Sequence, residues 1–257
     1  MIFVYDGTIE GFFTAVFEAY RMGVEPVAIH SSKQDFQASL LYQTASIDTD
    51  LIKAERVITG IKRISYNALD NIYAAFRHRD ADKDLAIFRF IKLLFCKKHE
   101  ALNMLNHPDV IAFNNLVYAV NHEIHRMRGF VRFRQTDFGV YYAPISPDHD
   151  ILDALAEHFT QRYKGMPFCI HDVGREKMLA YDGVICKIVP ASQVQITLSE
   201  EEQALQAAWQ DYFDSVNIRE RQNLRLQRQF LPKRYRKFMP EFNSDLTFKK
   251  KANKIGE

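Results

Sequence analysis

The chain has 257 residues, of which 47% are hydrophobic, 26% charged and 13% aromatic, with three cysteines and a formal net charge of +2. That length and apolar content suit one large domain or two small ones around a sizeable core, and exclude a disordered chain. Cys96, Cys169 and Cys186 have no paired spacing, which favours free thiols in a reducing compartment and excludes a local zinc ribbon or a three-cysteine iron-sulfur motif.

Ile2 to Tyr5 reads as a short strand running into Asp6-Gly7-Thr8, a turn that also suits a helix start. Phe12, Phe13, Val16, Phe17 and Tyr20 then repeat at helical spacing. A single glycine in that turn is not the glycine-rich phosphate fingerprint, so Asp6 reads first as turn chemistry. Met1 to Tyr5 shows no basic n-region and apolar h-region, so no secretion signal is expected. The longest apolar run, Leu85 to Phe95, is interrupted by Arg89 and Lys92 and is too short for a bilayer, so a cytoplasmic protein with no membrane contact is expected. Pro26 to His30 suits a second strand. From Asp48 to Met127 the chain reads as helical, with breaks near Arg79 to Lys83 and at His107-Pro108. Leu85 to Phe95 is apolar on nearly all sides, as a central core helix would be. Pro108 suits a first helical turn, and Val110, Phe113, Leu116, Val117, Val120, Ile124 and Met127 share one face.

Gly129 then breaks the period. Phe130 to Gln135 alternates as a strand would, with Phe130, Arg132 and Arg134 on an open face and Val131 and Phe133 on a covered one. Asp137-Phe138-Gly139 supplies a turn and Val140 to Ile145 a return strand. Asp148 and Asp150 are natural caps for a helix through Ile151, Leu152, Leu155, Phe159 and Tyr163, and strands follow at about 168 to 173 and 177 to 182. The fold class expected is α+β: a largely helical N-terminal part (1–120), a central antiparallel ββαββ sheet (121–190) and a helical, basic C-terminal part (191–257). In the last part Ser199 and Glu202 form a capping-box signature. Leu205, Ala208, Trp209, Tyr212, Phe213 and Val216 line one helical face, with Trp209 as a core anchor.

Chemistry concentrates in a few places. His122-Glu123-Ile124-His125 is not a metalloprotease helix, because that motif needs its second histidine four residues after the first, where Arg126 stands. No third or fourth ligand lies at usual spacing, so no metal and no cofactor are expected. Arg126, Arg128, Arg132 and Arg134 fall among aromatics, as a phosphate-binding surface or as a solvated face. Lys233, Arg234, Tyr235 and Arg236 again interleave cations with an aromatic, as a single-strand surface does or as a tail packing Tyr235 on the core does. Residues 219 to 254 hold twelve Lys and Arg against three acids, an excess of nine that leaves seven net negative charges for the rest of the chain.

Tyr5-Asp6-Gly7-Thr8, Glu10-Gly11-Phe12, Ala15 to Ala19, the His122 to Phe133 stretch, Asp148-His149-Asp150, His158-Phe159, Arg162, Tyr181-Asp182-Gly183 and Pro232 to Tyr235 together resemble the bacterial family labelled probable DNA-metabolism proteins. The resemblance runs to about Phe242. It implies a gene beside one for a radical-SAM protein thought to modify or repair DNA, and kinship with a region fused ahead of some uracil-DNA-glycosylase-like domains. It supplies no catalytic residue. The expectation is a nucleic-acid-binding accessory protein, most simply for DNA, that acts with a radical-SAM partner. Two alternatives stand beside it: a hydrolase or base-processing enzyme using Asp6, His125, His149 and Asp182, and a structural scaffold whose basic tail contacts an acidic protein.

Overall fold

Ile2–Tyr5 (β1), with its β-branched and aromatic residues, is the central strand of a three-stranded sheet. Ala28–Ser31 (β2) and Thr44–Ser46 (β3) pair with it in parallel on either side. The computed structural model describes residues 1–32, 42–192, 194–216, 218 and 223–242. Parallel pairing requires a crossover, which Ile9–Met22 (α1) provides between β1 and β2. The hydroxyl of Thr8 caps α1 by accepting from Gly11 N, and Gly23 closes it at φ 67°, a left-handed conformation that a glycine adopts without strain. Leu51–Ile64 (α2) packs on α1, and Tyr66–Phe76 (α3) and Lys83–Lys97 (α4) follow. The short Glu100–Asn103 (α5) leads to Pro108–Phe130 (α6). The second strand, the helical run and the Pro108 start match expectation; β3 has no expected counterpart.

Where the sequence suggests three parts, the chain clusters into two compact units: Met1–Glu123 with Asp148–Asp150, and Ile124–Pro147 with Ile151–Glu257. The first has its core in Phe3, Phe12, Phe13, Ile61, Ile72, Ile87, Ile91 and Leu94, all fully buried. Phe90 and Phe113 stack within it, ring centroids 3.8 Å apart. Each such buried side chain contributes about 1.5–3 kcal/mol. The apolar face of α6 is buried along its whole length, from Val110 to Met127, and helix geometry continues past Gly129 to Phe130.

The second unit is built on a five-stranded sheet in the order β4-β5-β6-β7-β8: Arg134–Gln135 (β4), Tyr141–Ile145 (β5), Phe168–Asp172 (β6), Lys177–Tyr181 (β7) and Cys186–Pro190 (β8). It is mixed, which corrects the expected antiparallel sheet. Leu152–Arg162 (α7) carries the chain back so that β5 and β6 run parallel, while the other three pairs are antiparallel. Periodicity marks strands but leaves their direction to the crossover helix. The residue in the capping position of α7 is Ile151, which makes no side-chain cap hydrogen bond, instead of Asp148 or Asp150. The core here gathers Phe133, Phe159, Tyr163 and Phe168, with Phe133 within 4.8 to 5.4 Å of the other three rings. Glu200–Val216 (α8), Leu224–Phe230 (α9), Lys233–Arg236 (α10) and a 3-10 turn at Pro240–Phe242 follow among the described residues. No helix among the described residues is long and apolar enough to cross a membrane.

Candidate nucleic-acid interface

The stretch expected to be a basic strand is mostly not a strand. After α6 ends, residues 131–133 are irregular and only Arg134 and Gln135 join the sheet. Without the pleat, alternation no longer assigns faces, and both arginines turn towards protein. Arg134 is 1% exposed; its Nη2 donates to the Phe238 carbonyl at 2.8 Å, and its cation lies near Glu202. Burial pushes its pKa down, and the neighbouring Glu202 and Tyr142 push it back up. Arg132 is ion-paired, with Nε and Nη2 at 2.9 and 2.8 Å from Glu241 Oε1, and its Nη1 donates to the Gly129 carbonyl. The expected open face at Arg132 and Arg134 is therefore corrected. The two side chains clamp the 238–241 segment beside β4.

Glu202 reinforces the clamp. Its backbone N donates to Ser199 Oγ, the first half of a capping box, but its carboxylate accepts from Gln135 N and Gln206 Nε2 instead of closing the box. In the C-terminal segment Tyr235 is 4% exposed and packs against Phe130, which corrects the reading of it as a base-stacking platform. Arg236 is held by the Leu231 carbonyl and lies over the Phe242 ring. Lys233 and Arg234 stay exposed, with Arg234 against the Tyr235 ring. Arg219, Arg221, Lys249, Lys250, Lys251 and Lys254 lie outside the described residues.

Other cations remain in the open. Arg128, in the last turn of α6, and Arg162, in the last turn of α7, are exposed, and both act on His158. Desolvation, then Arg128 and Arg162, hold the His158 pKa below its ordinary value, and no anion is among the causes. A helix C-terminus attracts cations on its own account. Here, though, two guanidiniums lie close enough to His158 to disfavour its imidazolium, because like charges repel. Among the described residues neither Arg128, Arg162 nor Lys233 enters an ion pair. Arg126, on another side of α6, reaches the Gln229 carbonyl of α9 at 3.5 Å, long for a hydrogen bond. The α6 end thus has α7 on one side and α9 and α10 on the other, with exposed cations along the band.

The four residues considered for catalysis are not brought together. Asp6 and His149 belong to the first unit, His125 and Asp182 to the second. Asp6 stands at the carboxyl end of β1 beside the α1 N-terminus, where open α/β sheets hold anions. It supplies that anion itself, accepting from Thr8 N at 2.9 Å, Thr8 Oγ1 at 2.6 Å and Thr49 Oγ1 at 2.8 Å. A Cβ on Gly11 would lie 2.3 Å from Asp6 Oδ1, so the glycine is what admits the carboxylate. Asp182 closes the β7–β8 turn by accepting from Val184 N and Ile185 N, and these hydrogen bonds lower its pKa. His125 is exposed on α6. His149 is buried, its ring 4.3 Å from that of His78 and its Nδ1 accepting from Arg79 N, while the Glu123 carboxylate accepts from Asp148 N and His149 N. Burial first, and His149 next, lower the His78 pKa. His122 stacks on Tyr118.

Two buried arrangements escaped the sequence. Tyr5 Oη donates to Oδ2 of the fully buried Asp84, whose carboxyl pKa burial raises. In the second unit His171 Nε2 meets the Ala191 carbonyl, an acceptor only, so Nε2 carries the proton and Nδ1 accepts from Tyr142 Oη at 2.7 Å. Burial fits that neutral pair, pushing Tyr142 up to about 12 and His171 down. Neither partner is near its mate in sequence, and no spacing rule finds them. Among the described residues no three His, Cys, Asp or Glu side chains converge as metal ligands would. A family model described as a domain of unknown function (DUF4130) matches residues 81–241. No curated protein and no solved structure matches the chain.

Proposed function

The chain belongs to the DUF4130 family, and from that premise we propose that it is a nucleic-acid-binding accessory protein whose contact surface is the cationic band of the second unit. Arg128, His158, Arg162 and Lys233 all fall within the matched span. The observation that carries the reading is the pair of guanidiniums of Arg128 and Arg162, exposed and without an ion pair among the described residues, both acting on His158. Uncompensated positive charge costs the folded chain a little, and an anionic ligand such as a phosphodiester backbone offsets that cost. The resemblance in sequence to probable DNA-metabolism proteins supports DNA as the ligand and a radical-SAM enzyme of DNA modification or repair as the partner. The catalytic step then belongs to that partner. The test is binding of the purified chain, alone and with the radical-SAM protein, to single- and double-stranded DNA across a salt series. Affinity should fall linearly in log-log form, with a slope of about 0.9 per neutralised phosphate on duplex and about 0.7 on single strands. Absence of salt-dependent binding at low ionic strength, with and without the partner, overturns the reading.

A further inference from the structure

The face of α8 expected to be core is exposed instead, Phe213 excepted. Leu205 is 64% exposed, Trp209 44%, Tyr212 56% and Val216 52%. The helix is held to its unit by a different side: Glu202 to Gln135, Gln210 Nε2 to the Pro240 carbonyl, and Phe213 against Phe242. Single exposed apolar residues are ordinary. Four in one row, including the chain's one tryptophan with its ring 5.7 Å from that of Tyr212, are not. Together they expose on the order of 400 Å² of mostly apolar surface, a size of patch that is often functional. The row advances by four, three and four residues, the a/d spacing of a seam between two helices.

We propose that this seam is a homodimer interface in which α8 packs antiparallel against α8 of a second copy. The spacing reads the same in both directions, so a two-fold axis passing between Gln210 and Asp211 sets Trp209 against Tyr212 of the partner subunit. The same axis sets Leu205 against Val216 of the partner subunit. A two-fold interface must be self-complementary, and this row is. The flanking positions along the paired stretch are Gln206, Ala208, Phe213 and Ser215, all uncharged. Seams that select a different protein do so through charges at those positions, and here they are missing. Ala208 and Ser215 are small enough to let the helices approach. Two such patches bury about 800 Å² directly, below the ~1,000 Å² of a firm interface, so the dimer is a reversible, concentration-dependent one.

The experiment is sedimentation equilibrium of the full chain over a concentration series, read alongside tryptophan emission. Mass should rise from 30.0 kDa towards twice that value, and Trp209, the sole emitter, should shift to the blue with the same midpoint. Tyr212→Glu, and at the other end of the seam Leu205→Glu, should each hold the chain at monomer mass with red-shifted emission and unchanged circular dichroism. Both sites are more than half exposed, so the fold should survive the charge. A mass constant at the monomer value at every concentration overturns the proposal, whatever other protein the seam captures. So does a dimer that both variants leave intact.

Discussion

Within the second unit, arginines a few residues apart do opposite work. Arg132 and Arg134 point into protein, where Glu241 and the Phe238 carbonyl receive them and Glu202 lies close to Arg134. Arg128 and Arg162 stand in the open around His158 and enter no ion pair among the described residues. Local sequence treats Arg128, Arg132 and Arg134 alike, as cations among aromatics. The difference comes from backbone geometry: α6 persists to Phe130 and leaves Arg128 on a helical surface, while the irregular 131–133 segment delivers Arg134 to the interior. A count of cations therefore says little about a binding surface until each side chain's partner is known.

The largest expected effect that would break this comparison is on stability. Arg134→Ala removes a buried cation and leaves the Phe238 carbonyl without its donor, which should cost roughly 3 kcal/mol in chemical denaturation. Arg132→Ala, at a part-exposed pair, should cost about 1 kcal/mol. Arg128→Ala and Arg162→Ala should each stay within about 0.5 kcal/mol of the parent. Equal losses at all four positions would erase the distinction between the clamp and the band.

A smaller effect concerns pH. His158 is harder to protonate in the folded chain than in the unfolded one. Its contribution to stability is therefore complete above its ordinary value of 6.5 and is lost as pH falls through the depressed folded value. A bound phosphate reverses the bias by favouring imidazolium. Nucleic-acid affinity should therefore rise as pH falls below 6.5, and His158→Gln should abolish the rise. The check is a titration of affinity against pH at fixed salt, with the histidine followed by NMR. An imidazole resonance that does not move on binding would place the ligand elsewhere.

Helical periodicity made much of the fold legible. All seven apolar residues assigned to one face of α6, from Val110 to Met127, are buried, and β1, α1 and β2 fall where the hydrophobic pattern puts them. Direction and partnership were less visible. Whether β5 and β6 run parallel depends on where α7 returns the chain, and nothing in either strand encodes that. The Leu205 to Val216 row has the same spacing whether its cover is this chain or another, so the sequence could not distinguish a core face from an exposed seam. His78 meets His149, and Tyr142 meets His171, across long loops of chain. The cations are plain in the sequence, whereas the partner each one meets is a tertiary fact.

The central claim, that the cations of the band and those of the clamp do separate jobs, is tested most directly by the salt dependence of DNA binding in three proteins. These are the parent, Arg128→Glu with Arg162→Glu, and Arg132→Gln, each shown folded by circular dichroism. The double reversal should weaken binding and flatten the log-log salt slope by roughly 1.4 to 1.8, two phosphates' worth, while Arg132→Gln leaves the slope unchanged. A slope that flattens for Arg132→Gln and stays at the parent value for the double reversal would contradict the account.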